Sequence, residues 1–189
     1  MEDLSATAWA VLGLLSFGRE LSGYEVRKWA DASLRFFYGS PAMSQIYREL
    51  RRLEARGYAT SRPAPRDEPR RKRLYRITPA GKAALRAWLR DTPVEAPAVR
   101  HGAALRVWLG HLSDPATLRR TVEEHRAFAV ETLAEVSRAR TIAEHEPAWT
   151  YPAVIERWGE RYWAAERDAA AALLADLDRI AAATARRSR

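Results

Sequence analysis

One block near the middle of the chain constrains the fold more than any other. It reads AMSQIYRELRRLEARGY from Ala42 to Tyr58 and, after a short gap, RRKRLYRITPAG from Arg70 to Gly81. Ile46, Leu50, Leu53 and Gly57 recur at spacings of four, three and four, which puts them on one side of a helix. Gln45, Arg48 and Arg52 fall on the opposite side, flanked by Ser44 and Arg51. The second piece predicts a basic β-hairpin arm. A helix with a polar, arginine-bearing face followed by such an arm suits a duplex, the helix in the major groove and the arm on the backbone.

The charge balance points the same way. Residues 1–92 hold 18 Lys/Arg against 10 Asp/Glu, a net of +8, whereas residues 93–189 hold 14 of each. All of the excess positive charge lies in the first half, which implies an anionic partner there and a neutral role for the second half. Between Met43 and Arg76 the count is 11 Lys/Arg to 4 Asp/Glu. Like charges so crowded repel one another, and phosphates would remove that cost while releasing counterions.

The 189 residues, 47% apolar, can bury a core. There is no cysteine, which excludes a disulfide framework, a thiol redox sensor, a cysteine nucleophile and Cys-ligated zinc. The uncharged stretch from Leu4 to Gly18 is too short to span a bilayer, and Glu2 and Asp3 make it a poor export signal. A soluble, cytoplasmic protein without membrane contact is expected.

Local signals divide the chain. Ala8, Val11, Leu12 and Leu15 mark a helix from about Ser5 to Phe17. Ser22-Gly23-Tyr24-Glu25 predicts a capping box that opens a second helix. Pro41 suits the first turn of the third helix, which Gly57 ends. Tyr58 to Arg62 and Arg71 to Ile77 read as the two wing strands, and Thr78-Pro79 starts a fourth helix. After a linker from Thr92 to Pro97 the pattern is helical, with Asp114-Pro115 capping one long helix and a second following Pro147 to Pro152. Apolar residues at spacings of three and four mark a face on each: Leu118, Val122, Leu133 and Val136, then Ile155, Trp158, Tyr162, Leu173 and Leu177. Two such helices are not expected to close a core alone, so these faces are assigned to a homodimer interface.

At this point the chain resembles the PadR-like transcriptional regulators. The matching pieces are Gly23-Tyr24-Glu25, Ser44-Gln45-Ile46-Tyr47 with Leu50, Leu53, Glu54 and Gly57, and Tyr75-Arg76-Ile77-Thr78-Pro79-Ala80-Gly81. The helical tail is similar to the longer C-terminal domain of the virulence-activator-like subgroup, in Leu105 to Gly110, Asp114-Pro115 and Trp158 to Trp163. The resemblance implies a homodimeric winged-helix regulator, often a repressor, whose C-terminal helices make the dimer. The expected fold is therefore mainly α. A winged helix-turn-helix domain with a two-stranded wing occupies residues 1–92, and an all-helical dimerisation domain, where an effector could also bind, occupies residues 98–189.

The residues assigned to double-stranded DNA are Ser44, Gln45, Tyr47, Arg48, Arg51 and Arg52 on the helix and Arg70, Arg71, Lys72 and Arg73 on the wing. Tyr47 lies beside the apolar stripe, which favours a phosphate contact over a core place, whereas Tyr24 is assigned to the core or a minor phosphate contact. A two-fold dimer calls for a pseudo-palindromic operator. Trp9, Trp29 and Trp88 are assigned to the core. Trp108, Trp149, Trp158 and Trp163 could wall a pocket for a small aromatic effector, although packing at the dimer interface is the weightier reading. His101, His111, His125 and His145 show no metal-ligand spacing and are expected to sit apart, so neither a metal nor a cofactor is expected. No phosphate loop or nucleophile motif supports an enzyme. The rival reading is a helical ligand-binding or protein-interaction dimer whose basic lobe meets another anionic partner.

Overall fold

The computed structural model describes residues 4–65 and 72–187. The chain divides into two compact units, Met1–Glu95 and Ala96–Arg189.

The first unit holds α1 (Ala6–Leu15), β1 (Leu21–Ser22), α2 (Gly23–Ala32), α3 (Met43–Ala55), β2 (Ala59–Pro63), β3 (Arg73–Ile77) and α4 (Pro79–Asp91). Helices α1, α2 and α4 start where hydroxyls can take up unpaired amides. The Ser5 hydroxyl accepts from the Ala8 amide at 3.1 Å. Ser22 and Glu25 close the expected capping box: the Ser22 hydroxyl accepts the Glu25 amide and the Glu25 carboxylate accepts the Ser22 amide at 2.7 Å. Helix α3 ends on Gly57, whose φ of 70° is left-handed. The Gly57 amide donates to Glu54 O and the Tyr58 amide to Leu53 O, both at 2.9 Å, so the last carbonyls are satisfied as the chain turns into β2. The Thr78 hydroxyl accepts the Gly81 amide to cap α4 and donates to Gly57 O, tying the start of α4 to the end of α3.

Two expectations need correcting here. The sheet is three-stranded, in the order β1-β3-β2, because the two-residue β1 adds to the wing pair through Leu21 opposite Tyr75 and Ser22 opposite Leu74. Helix α3 begins at Met43 rather than at Pro41. Ala42 is its N-cap, with its amide donating to the Gln45 side chain at 2.9 Å, while the Arg27 guanidinium holds Pro41 O at 2.8 Å. Ala8, Leu12, Val26, Ile46, Leu50 and Leu53 are fully buried in one core, against which Trp9 and Trp29 pack; Trp88 stacks on Trp9 at 5.4 Å. Tyr24 is not a core residue: it is 62% exposed, at the second position of α2.

The second unit holds α5 (Gly102–Trp108), α6 (Pro115–Glu144) and α7 (Thr150–Arg187). The Asp114 carboxylate caps α6, accepting the Thr117 amide at 2.8 Å. Helices α6 and α7 pack on each other, contrary to the expectation that they leave their faces open. Leu118, Val122 and Val136, assigned to a dimer face, are buried inside the chain with Ala129, Ala143, Ala153, Ala170 and Leu174. Small residues form the seam; a Cβ on Gly159 would lie 3.0 Å from Val136 Cγ2. His101 and His125 do not sit apart either, since their ring centroids are 4.4 Å from each other. Among the described residues, no helix is long and apolar enough to cross a membrane.

Two glycines test the packing of the first unit. A Cβ on Gly81 would lie 2.1 Å from the backbone oxygen of Tyr58, whereas one on Gly23 would lie 2.5 Å from the ring of Tyr47. The Tyr47 ring is 40% exposed and can swing out; the Tyr58 carbonyl cannot. Gly81→Ala should therefore cost about 2–3 kcal/mol and Gly23→Ala less than about 1 kcal/mol. Urea unfolding of both variants checks this, and equal losses would contradict it.

Glu156 tests the second unit. Its side chain is buried, its Oε2 has no hydrogen-bond partner, and burial, with Glu160 nearby, pushes its carboxyl up to about 7. In the unfolded chain the same group titrates near 4.5. The folded state therefore binds the extra proton between these values, and this contribution is full below about pH 4.5 and lost as pH rises through 7. Glu156→Gln should match the parent at pH 4 and be more stable at pH 8, by on the order of 2–3 kcal/mol. Unfolding midpoints at the two pH values measure it; no gain at pH 8 would contradict it.

Candidate nucleic-acid interface

Helix α3 has two faces because its large aliphatic residues fall on one of them. Ile46, Leu50 and Leu53 are fully buried, and Ser44, Gln45, Arg48 and Arg51 are exposed on the other side. Arg48 is 63% exposed at its side chain. Arg52 departs from the expected pattern: its side chain is 28% exposed and lies 3.9 Å from the carboxylate of Glu49. Glu49 itself is buried, with Arg48 at 3.4 Å on its other oxygen. Its place in the core-facing half of α3 was not legible, since a lone glutamate among arginines reads as a surface residue. Gln45 is engaged through its carbonyl oxygen in the α3 cap. Tyr47 stands at the junction of α2 and α3, its ring over Gly23.

The wing meets α3 through a second ionic knot. The Ser61 hydroxyl donates to Glu54 Oε1 at 2.6 Å and accepts from Arg73 Nε at 2.8 Å, while Arg73 pairs with Glu54 at 3.7 Å. Arg73 thus sits on β3 with its guanidinium drawn toward α3. Arg62 on β2 forks onto the carboxylate of Glu20, whose pKa is lowered first by that hydrogen bond. Lys72 lies just before β3, near Glu25. Burial pushes the Glu25 carboxyl up, but the Ser22 hydroxyl and amide, with Lys72 and Lys28, bring it below the usual range. Arg70 and Arg71 lie outside the described residues. The structure thus brings Ser44, Gln45, Tyr47, Arg48 and Arg51 to one helix face, with Arg73 on β3 and Lys72 just before it.

The second unit carries two further groupings. On α7 the residues Tyr151, Val154, Ile155, Trp158 and Tyr162 form an exposed apolar stripe, from 85% exposed at Tyr151 to 37% at Ile155. Trp158 stacks on Tyr162, which meets Trp163 edge-on, and Trp163 meets Phe128 of α6 at 5.6 Å. Trp108 is 77% exposed and Trp149 half-buried. Leu133, Leu173 and Leu177 are also half-buried. The other grouping is His101, His125 and Glu166, whose ligand atoms lie within 4.8 Å of one another. No spacing rule could have found it, because its members come from the start of α5, from α6 and from α7.

Residues 11–87 match the model of the Transcriptional regulator PadR-like family. The Negative transcriptional regulator PadR of Bacillus subtilis (strain 168) is 39% identical over 87 residues, a match that covers 46% of this chain. The match spans about half of that relative, 47% of its length. The crystal structure of Bacillus subtilis PadR in complex with operator DNA is similar with a TM-score of 0.76 at 22% identity, over 92% of this chain and 99% of that one. Bacillus subtilis PadR in complex with p-coumaric acid is similar with a TM-score of 0.68 at 22% identity, over the same shares. The Vibrio cholerae virulence activator AphA is similar with a TM-score of 0.68 at 23% identity, over 93% of this chain and 99% of that one. These relatives are regulators by name, not enzymes, and the structural likenesses carry the fold: a winged helix followed by a helical region. Residues 11–87 are thus similar to the PadR-like family of transcriptional regulators, and the likeness of fold extends over most of the chain.

Proposed function

We propose that this chain is a homodimeric, sequence-specific DNA-binding transcriptional regulator that acts as a repressor in the cytoplasm. The observation that carries the reading is α3, with a fully buried apolar stripe and an exposed face of Ser44, Gln45, Arg48 and Arg51 beside a basic wing. Its relative in Bacillus subtilis is named a negative regulator, and the similar structure of that protein holds operator DNA. On this reading α3 enters the major groove. Arg48, more open than Arg52, contacts a base edge, where arginine suits guanine. Tyr47 and Arg51 hold the backbone. Arg52, drawn onto Glu49, contributes charge more than base readout. Arg70, Arg71, Lys72 and Arg73 grip phosphates.

The exposed stripe of α7 is the proposed dimer face, since it is the apolar surface that α6 does not cover. Ile155, Trp158 and Tyr162 lie at its centre, with Leu133, Leu173 and Leu177 as half-buried neighbours. A two-fold dimer presents two α3 faces, so its operator is pseudo-palindromic with half-sites about 34 Å apart or a multiple of that. A small aromatic effector belongs to the same proposal. Trp158, Tyr162 and Trp163 offer ring faces, with Trp108 and Trp149 on the same unit, and p-coumaric acid occupies the Bacillus subtilis relative.

Binding titrations on operator and scrambled duplexes at several salt concentrations test the DNA reading. Arg48→Ala should cost about 1–3 kcal/mol and relax preference at one base position. Lys72→Ala should weaken all duplexes alike and flatten the slope of log K against log salt by about one. If neither variant changes DNA binding, the basic lobe serves another anionic partner and the reading fails.

Light scattering tests the dimer. The protein should have twice the chain mass at micromolar concentration, and Trp158→Glu should shift it toward the monomer by placing a charge in the apolar stripe. A parent protein that is monomeric would overturn the interface.

A further inference from the structure

His101, His125 and Glu166 meet from separate segments of the second unit. His101 stands at the N-cap of α5, His125 is on α6 and Glu166 on α7. The Nε2 atoms of both rings point at one carboxylate oxygen, Glu166 Oε1, at 2.7 and 2.8 Å. The side chains are 27%, 21% and 18% exposed, so the cluster is sheltered yet open to solvent on one side. We propose that His101, His125 and Glu166 bind a divalent transition-metal ion of the zinc type, with coordination left open for water or a small ligand.

The chemistry of the donors sets the class of ion. Two imidazoles and one carboxylate form a mixed nitrogen–oxygen set that suits zinc, cobalt or iron, whereas magnesium and calcium favour oxygen donors alone. Three protein ligands are the number found where zinc keeps a further position open. Metal–ligand bonds of about 2.0–2.2 Å place neighbouring ligand atoms of a tetrahedral site about 3.3 Å apart. The carboxylate oxygen reaches that spacing by withdrawing about half an ångström from each ring nitrogen, and the three ligand atoms already lie within 4.8 Å of one another.

One detail makes the proposal more specific. The other nitrogen of His101, Nδ1, accepts the Ala104 amide at 3.0 Å and so caps α5. In the metal-free form the His101 proton is therefore on Nε2, where it is donated to Glu166. A metal taken through Nε2 moves that proton to Nδ1, where it faces the Ala104 N–H. The cap of α5 is then exchanged for the metal bond. Metal occupancy is thus felt in the first turn of α5, directly after the exposed segment 92–100.

The test uses the full chain, stripped with chelator and titrated with Co²⁺, then Zn²⁺. Expected are one Co²⁺ per chain, with the visible absorption of a low-coordinate nitrogen–oxygen site, and its displacement by Zn²⁺. His125→Ala and Glu166→Gln, each checked for helix content, should weaken binding at least about tenfold, as loss of a ligand does. His145→Ala, outside the cluster, should bind as the parent does. Amide exchange at Ala104 should quicken when Zn²⁺ is added. The proposal is overturned if the parent takes up no stoichiometric metal, if His145→Ala loses binding while Glu166→Gln keeps it, or if exchange at Ala104 is indifferent to Zn²⁺.

Discussion

Everything in the first unit follows from the burial of Ile46, Leu50 and Leu53. Each is fully removed from water, which stabilises by about 1.5–3 kcal/mol per side chain. Once that stripe faces α1 and α2, the other side of α3 has no choice of direction: Ser44, Gln45, Arg48 and Arg51 must face solvent. The end of the helix is then equally determined. Gly57 turns the chain through a left-handed conformation, Tyr58 returns a hydrogen bond to Leu53, and the strand that leaves is β2. The Thr78 hydroxyl reaches back to Gly57 O, so the returning arm of the wing is fixed to the same point. The polar face of α3 and the basic wing therefore hold their places through the same few bonds, not through contacts with each other alone.

The signals that were legible in advance are those in which one local bond determines a conformation. The Ser22–Glu25 box, Gly57, Thr78-Pro79 and Asp114-Pro115 each mark a helix end for a reason contained in a few residues. Strand β1 was not legible because two residues carry no periodicity; it exists only because β3 offers an open edge. The α6–α7 pairing was misread for a different reason. The large apolar residues mark faces that suit a partner chain, but Ala129, Ala143, Ala153, Ala170 and Gly159 allow the two helices to approach each other closely. The larger Trp158 and Tyr162 are thereby left outside. The cluster of His101, His125 and Glu166 was invisible because convergence from three segments is a property of packing and leaves no trace in spacing.

Glu49 shows how a single buried charge can shape a surface of many. Its carboxylate lies in the interior half of α3 with guanidinium groups at 3.4 and 3.9 Å. A carboxylate so placed draws its neighbours inward, because a buried charge without partners is costly. Arg52 is the one drawn in, and Arg48 stays largely open. The helix therefore presents fewer free arginines than its composition suggests, and it presents them in a more defined direction.

The two units also handle charge in opposite ways. In the second unit, Arg119 pairs with Asp178, Arg140 with Glu160 at 2.9 Å and Arg157 with Glu144 at 3.0 Å, all across helices or turns. Exposed pairs of this kind stabilise little, so α6 is held to α7 by the buried Leu118, Val122, Val136 and Leu174 with the alanines between them. What the pairs accomplish is cancellation. Residues 1–92 keep their surplus of +8, although Arg62 and Arg73 are tied to Glu20 and Glu54. Exposed charges feel one another over about 8 Å at physiological ionic strength, and the cations between Met43 and Arg76 are dense in the sequence. A surplus of this kind weakens the isolated fold and strengthens its hold on a polyanion. The charge-balanced second half and the basic first half thus divide the labour on the proposed reading, in which the one meets its own copy and the other a chain of phosphates.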